Sequence, residues 1–173
     1  MRTFSPRMPR PRLADERGQS LIEFALLGPI LVILLLGLVE FGRAIDSTHS
    51  LTTLSREGAN LAARGTPLDT VADLVMSGGS DIGLPTFGGV IVSDVRVDTG
   101  AVTVHAQVTR GGYAGRSRLG DVGERAPLLE TLGLVDGQTH YLVELFFRHA
   151  HVTPLRNLLG FGVPDTLYTR AMF

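Results

Sequence analysis

The distribution of apolar and polar positions predicts one long helix and then a small mixed domain. From Leu21 to Val39 there are 19 residues, of which only Glu23 is charged. At the rise of an α-helix this length covers about 28 Å, close to the hydrocarbon thickness of a bilayer. Gly28, Pro29 and Gly37 interrupt the run, and lipid-embedded helices tolerate such residues better than soluble ones do. Pro29 leaves the Ala25 carbonyl without its helical donor, which predicts a modest kink. Farther on, Leu51, Leu54, Gly58 and Leu61 fall on one narrow helical stripe that reaches toward Arg64, with Gly65 placed to end it. If unbroken from Gln19, this helix is about 70 Å long. The same pattern also admits two helices separated near Ser47–Ser50.

Thr66-Pro67-Leu68-Asp69 predicts a second helix, with Thr66 as cap, Pro67 at the first helical position and an acid three residues after the cap. Leu68, Val71, Ala72 and Val75 form its apolar face, and Gly78-Gly79 stops it. Val90–Val97 and Ala101–Thr109 read as two strands around Asp98-Thr99-Gly100. In the second of these, Val102, Val104, Ala106 and Val108 alternate with Thr103, His105, Gln107 and Thr109, predicting one buried side and one wet side. Tyr141, Val143, Leu145 and Phe147 repeat that spacing, and Leu167–Phe173 adds an edge strand. Residues 110–125 are rich in Gly and Arg and predict an exposed loop. The fold class is therefore α+β, a long N-terminal helix followed by a small antiparallel sheet with short helices.

Composition narrows the chemistry. The 173 residues include 16 Arg, no Lys and no Cys, so disulfides, thiolate metal sites and cysteine nucleophiles are all excluded. A net charge of −1 gives no broad surface for nucleic acid. The charge is unevenly placed. Residues 1–18 hold five Arg against Asp15 and Glu16, a net +3, whereas residues 44–173 hold 10 Arg against 13 acids, a net −3. A basic leader before an apolar span keeps the N-terminus in the cytoplasm and places everything after Arg43 outside.

Glu23 is the anomaly, because an ionisable group near the start of such a span is expensive. A cleaved secretory signal would use Gly42-Arg43-Ala44, but the apolar run exceeds the usual 7–15 residues and Glu23 does not belong in it. A plain anchor would let Glu23 snorkel to the interface. A third reading takes Gly18 and Glu23 together. A basic leader ending in Gly18, then Gln19-Ser20-Leu21-Ile22 and Glu23 at the fifth position, resembles the type IV prepilin cleavage signal, which an inner-membrane aspartyl peptidase cuts after the glycine. Gly18 would let an extended backbone approach the peptidase without a side-chain clash. The new α-amino group of Gln19 would then lie one helical turn from Glu23, and pairing of the two offsets part of the cost of burying either.

The stretch RGQSLIEFALLGPILVILLLGLVEFGRAI resembles the N-terminal signature of TadE-like proteins, minor pseudopilins of the tight-adherence (Flp) pilus system. The similarity rests on Arg17-Gly18-Gln19-Ser20, Glu23-Phe24-Ala25, Leu27-Gly28-Pro29-Ile30-Leu31 and Glu40-Phe41-Gly42-Arg43. Ser55-Arg56-Glu57-Gly58-Ala59 with Ala62-Ala63-Arg64-Gly65 looks like a second patch of the family. Val143–Phe147 and Tyr168–Met172 are similar to its C-terminal strands. The chain departs from the family where a tyrosine-rich strand ending is replaced by Arg148-His149-Ala150-His151.

The resemblance implies a non-enzymatic, single-pass plasma-membrane protein of pilus assembly. Its partners would be the lipid bilayer, a prepilin peptidase, and other pilus-assembly membrane proteins and pseudopilins. Nucleic acid and small-molecule substrates are not expected. The implied division is a leader over 1–18, a transmembrane helix over 19–42, an amphipathic extension over 43–65 and an extracytoplasmic α+β domain over 66–173. Prepilin-peptidase processing would fall on Gly18, Gln19 and Glu23. The alternative is a membrane-anchored extracytoplasmic binding or structural module with no pilus role.

Other chemistry finds little footing in the sequence. No G-x-S-x-G nucleophile elbow is present, and Gly111, Gly112 and Gly115 lack the strand–loop–helix setting of a phosphate cradle. His149 and His151 would share one face of a strand, a spacing suited to a metal pair, but no third ligand stands near them in the sequence and a pair at a strand end is expected at the surface. Neither a cofactor nor a metal is therefore expected. Arg116, Arg118 and Arg125 predict a solvated basic loop, with lipid headgroups as the other reading.

Overall fold

A computed structural model describes residues 16–112, 117–154 and 164–173. The leader up to residue 15 and Arg116 lie outside the described residues. The fold is α+β, as the apolar pattern predicts. Helix α1, Glu16–Ala63, runs for 48 residues, about 72 Å. It passes through Ser47–Ser50 and accommodates Pro29 without ending, so a single continuous helix forms rather than two. Gly65 ends it in the left-handed region at φ 88°, its N–H donating to the Ala62 carbonyl at 2.9 Å while Thr66 N–H reaches Leu61 at 3.2 Å.

The helix has two environments. Between Leu21 and Val39 most of its large apolar side chains are 52–72% exposed, with Ile33 and Leu36 half-buried. From Glu40 onward one stripe is buried, through Ala44, Leu51, Ser55, Gly58, Ala59 and Ala62. The predicted stripe of Leu51, Leu54, Gly58 and Leu61 therefore lies at the edge of a slightly rotated one whose centre is made of small residues. These let the helix approach closely: a Cβ on Gly58 would stand 2.6 Å from Val75 Cγ2.

Helix α2, Leu68–Gly78, buries Val71, Ala72 and Val75 against α1. Thr66 does not cap it. The helix begins one residue later than predicted, which places Pro67 at the cap position and Thr66 a residue too early, and no side chain caps the end. A 3₁₀ turn, Ser80–Ile82, and a short helix α3, Leu84–Phe87, lead into the sheet.

Four strands, β1 Gly88–Asp98, β2 Ala101–Arg110, β3 Thr139–Arg148 and β4 Thr166–Met172, pair antiparallel in the order β2-β1-β3-β4. The β1–β2 hairpin turns at Thr99 and Gly100, both with positive φ, as a tight two-residue hairpin requires. Asp94 pairs with Ala106 and Val95 with Val104, which leaves His105 as an extra residue in β2. That bulge overturns the expectation of a single buried face along β2. Val108 packs toward α1 and α2, whereas Val102 and Val104 point to the opposite side.

Both faces of the sheet are covered. One core joins α1 and α2 to Val90, Val92, Val143, Leu145 and Phe147. The second core joins Val95, Val97, Val102, Val104 and Leu142 to Leu119, Ala126 and Leu129, the last on helix α4, Pro127–Glu130. The predicted exposed loop over 110–125 is corrected in part: Leu119 is buried in that second core, and Thr103 bridges to Arg125. Isolated apolar residues in a Gly/Arg-rich stretch carry no periodicity from which burial can be read.

Candidate functional site

The start of α1 holds the three residues singled out for processing. Gly18, Gln19 and Glu23 all lie within the helix, with Gly18 half-buried and the other two exposed. A Cβ on Gly18 would meet nothing within 4 Å among the described residues. Gln19 Nε2 donates to Glu23 Oε1 at 3.0 Å across one helical turn. The carboxylate is thus already oriented toward the residue whose α-amino group a cut after Gly18 would free. Downstream, the helix is long and apolar enough to cross a membrane, and none of that apolar window is buried by the rest of the protein.

A second constellation lies where the bare span ends. Glu40 is 3% exposed, at the first position of α1 that the remainder of the protein grips. Its Oε1 stands 3.2 Å from His149 Nε2 and 2.8 Å from His151 Nδ1. Its Oε2 accepts from Val152 N, Thr153 N and Thr153 Oγ1 at 3.3, 3.2 and 3.0 Å. Asp165 completes the group from the far side, accepting from His151 Nε2 at 3.0 Å, and its carbonyl accepts from His149 N at 2.8 Å. Both nitrogens of His151 face carboxylate oxygens, which only accept, so in this arrangement the ring donates from both. Its pKa is raised above the usual histidine range, chiefly by the hydrogen bond to Asp165 and further by Glu40, against the opposing effect of burial.

This geometry corrects two expectations about the histidines. Strand β3 ends at Arg148, so the pair sits just beyond it and not along one strand face. His149 is buried at 5% exposure, and the third partner, an acid, is supplied by Glu40, 109 residues away in sequence. Glu40 was visible as the charge that closes the apolar run, but nothing local in the sequence joins it to His149.

The two described arginines of the basic loop are exposed as expected, and both are partnered. Arg118 stacks over Tyr168 with its guanidinium carbon 3.7 Å from the ring centre, and Arg125 pairs with Glu130 at 3.0 Å. Arg118 N and Tyr168 Oη both donate to the buried Glu144, at 3.0 and 2.8 Å, and Ser117 Oγ donates to it as well. Burial, and then Glu144, push the Tyr168 hydroxyl well above its ordinary pKa. These contacts fasten the covering segment to the second face of the sheet. Arg118 and Arg125 are exposed, as a solvated basic loop predicts, but each side chain has a partner.

Among known families, the model described as TadE-like protein matches residues 18–60. The matched stretch takes in Gly18, Gln19, Glu23, the bare span, Glu40 and most of the gripped half of α1. No curated protein and no solved structure matches the chain.

Proposed function

We propose that this chain, TadE-like over residues 18–60, is a membrane-anchored pseudopilin acting in the assembly of tight-adherence (Flp-type) pili. The observation that carries the proposal is the placement of the match. It covers a helix whose first half is apolar and bare, with Gly18 and Glu23 at its head. In this reading residues 1–18 are a cytoplasmic leader, the helix from Gln19 to Gly42 spans the plasma membrane, 43–65 extend it outward, and 66–173 form the extracytoplasmic head. The five leader arginines favour that orientation.

A prepilin peptidase cuts after Gly18. Because Gly18 is helical here, cleavage requires the first turn to open. Gly18 and the unpacked residues around it make that opening inexpensive. The freed α-amino group of Gln19 then takes over the partnership that its side chain has with Glu23, or pairs with the carboxylate of a neighbouring pseudopilin. The bare helix packs in the bilayer beside other pilus-assembly membrane proteins, and the role is structural rather than enzymatic.

The test is the N-terminal sequence of the membrane-extracted protein, made with and without the host's prepilin peptidase. The expected chain starts at Gln19 only when the peptidase is present. A chain that keeps residues 1–18 in both cases leaves a plain anchored extracytoplasmic module.

A further inference from the structure

We infer that Glu40, His149 and His151 form a binding site for one divalent zinc-class cation, which fastens the end of the membrane helix to the head. The potential ligand atoms, one from each residue, all lie within 4.8 Å of one another. Four tetrahedral ligands at about 2.0–2.1 Å from a zinc ion stand roughly 3.3 Å apart. The separations here, 3.2 Å from Glu40 Oε1 to His149 Nε2 and 2.8 Å to His151 Nδ1, need only a small opening to admit the ion. Two imidazoles with one carboxylate suit zinc and disfavour magnesium or calcium, which take oxygen ligands.

The surroundings are those of a prepared site. Asp165 receives the Nε2–H of His151, so the ligating nitrogen would be Nδ1, in a carboxylate–histidine–metal arrangement that fixes the ring and raises its basicity. Glu40 Oε2 is held by Val152 N, Thr153 N and Thr153 Oγ1, which leaves Oε1 as a single directed ligand. The cation would replace the protons that otherwise lie between Oε1 and the two rings, and its charge balances Glu40 and Asp165. A cleft lined by Phe87, Arg148, His149, Ala150, His151 and Asp165 borders both histidines, and water from it would supply the fourth ligand. The ligands come from two places more than 100 residues apart in sequence, so the ion ties α1 to the segment after β3.

The experiment uses the full chain without an affinity tag, in detergent, stripped with EDTA and titrated with Zn²⁺ alone against a chromophoric chelator. The expected result is one equivalent taken up per chain. Asp165→Asn should keep the stoichiometry and weaken binding about 10–100-fold. His151→Ala should abolish uptake, and His105→Ala, remote from the site on β2, should leave it unchanged. Because His149 is buried, His149→Ala also opens a cavity, so the decisive variants are those at His151 and Asp165, with circular dichroism showing that both are folded. Uptake well below one equivalent, or uptake indifferent to His151→Ala, overturns the site. The outcome is independent of leader cleavage: a chain processed after Gly18 that binds no zinc loses this inference and keeps the pilus reading.

Discussion

The two halves of α1 have the same backbone and opposite surroundings. Upstream of Glu40, Leu21, Phe24 and Leu38 are 70%, 71% and 72% exposed; downstream, Leu51, Ala59 and Ala62 are at 1%, 0% and 0%. The bare half carries large apolar residues on every side, the composition of a helix able to cross a membrane. The gripped half concentrates Ala44, Ser55, Gly58, Ala59 and Ala62 on one face, which serves a helix that must lie close to α2 and the sheet. Side-chain size, more than hydrophobicity, separates the bare face from the face that packs against protein.

Glu40 marks the boundary, and removing it should have the largest effect on the difference. Glu40→Ala leaves His149, Val152 N and Thr153 without their acceptor and should destabilise the head by about 3 kcal/mol. Hydrogen exchange of the β1 and β3 amides in the detergent-solubilised chain would show it as a uniform loss of protection. Unchanged protection would mean that the junction contributes nothing to the head.

A paired glycine test comes next. Gly58→Leu forces a side chain into Val75 and should cost about 1–3 kcal/mol, seen as a lowered Tm. Gly28→Leu, where a Cβ would meet only Phe24 at 4.0 Å, should leave Tm unmoved. Equal effects at the two positions would erase the distinction between the halves. Smaller still, Leu34→Ala should change head stability by under about 0.5 kcal/mol, since its side chain touches no core, and any loss should fall on membrane insertion instead. Glu23→Ala should leave Tm and leader cleavage as they are and weaken only association with partner helices, read by crosslinking in the membrane. A shift in Tm would show that Glu23 reaches the head after all.

Much of this architecture was legible from periodicity. The apolar run, the second helix, the apolar residues of β3 and the edge strand each carry a local signal, the run in its unbroken apolar length and the others in apolar positions spaced at the period of the element. What was not legible required partners far away in sequence, or an interruption of period. His105 is a single extra residue that turns the apparent stripe Val102–Val108 into two opposite faces. Leu119 lies among glycines and arginines with no repeat to betray its burial. The histidines and Glu40 show their types and spacing in the sequence, but the contact that unites them exists only once α1 passes beside the end of β3.

The absence of a break in α1 at Val39–Glu40 makes the helix behave as a keyed shaft. Each residue of an α-helix advances the chain about 1.5 Å and turns it about 100°. Inserting one alanine between Val39 and Glu40 would therefore leave the span and the head individually intact while swinging one against the other by more than a quarter of a circle. Four insertions would nearly restore the phase and lift the head about 6 Å. If the span lies in a bilayer as proposed, the compass bearing of the head above it is set by the count of residues between Gly18 and Glu40, and pilus assembly in such an insertion series should rise and fall with the helical period.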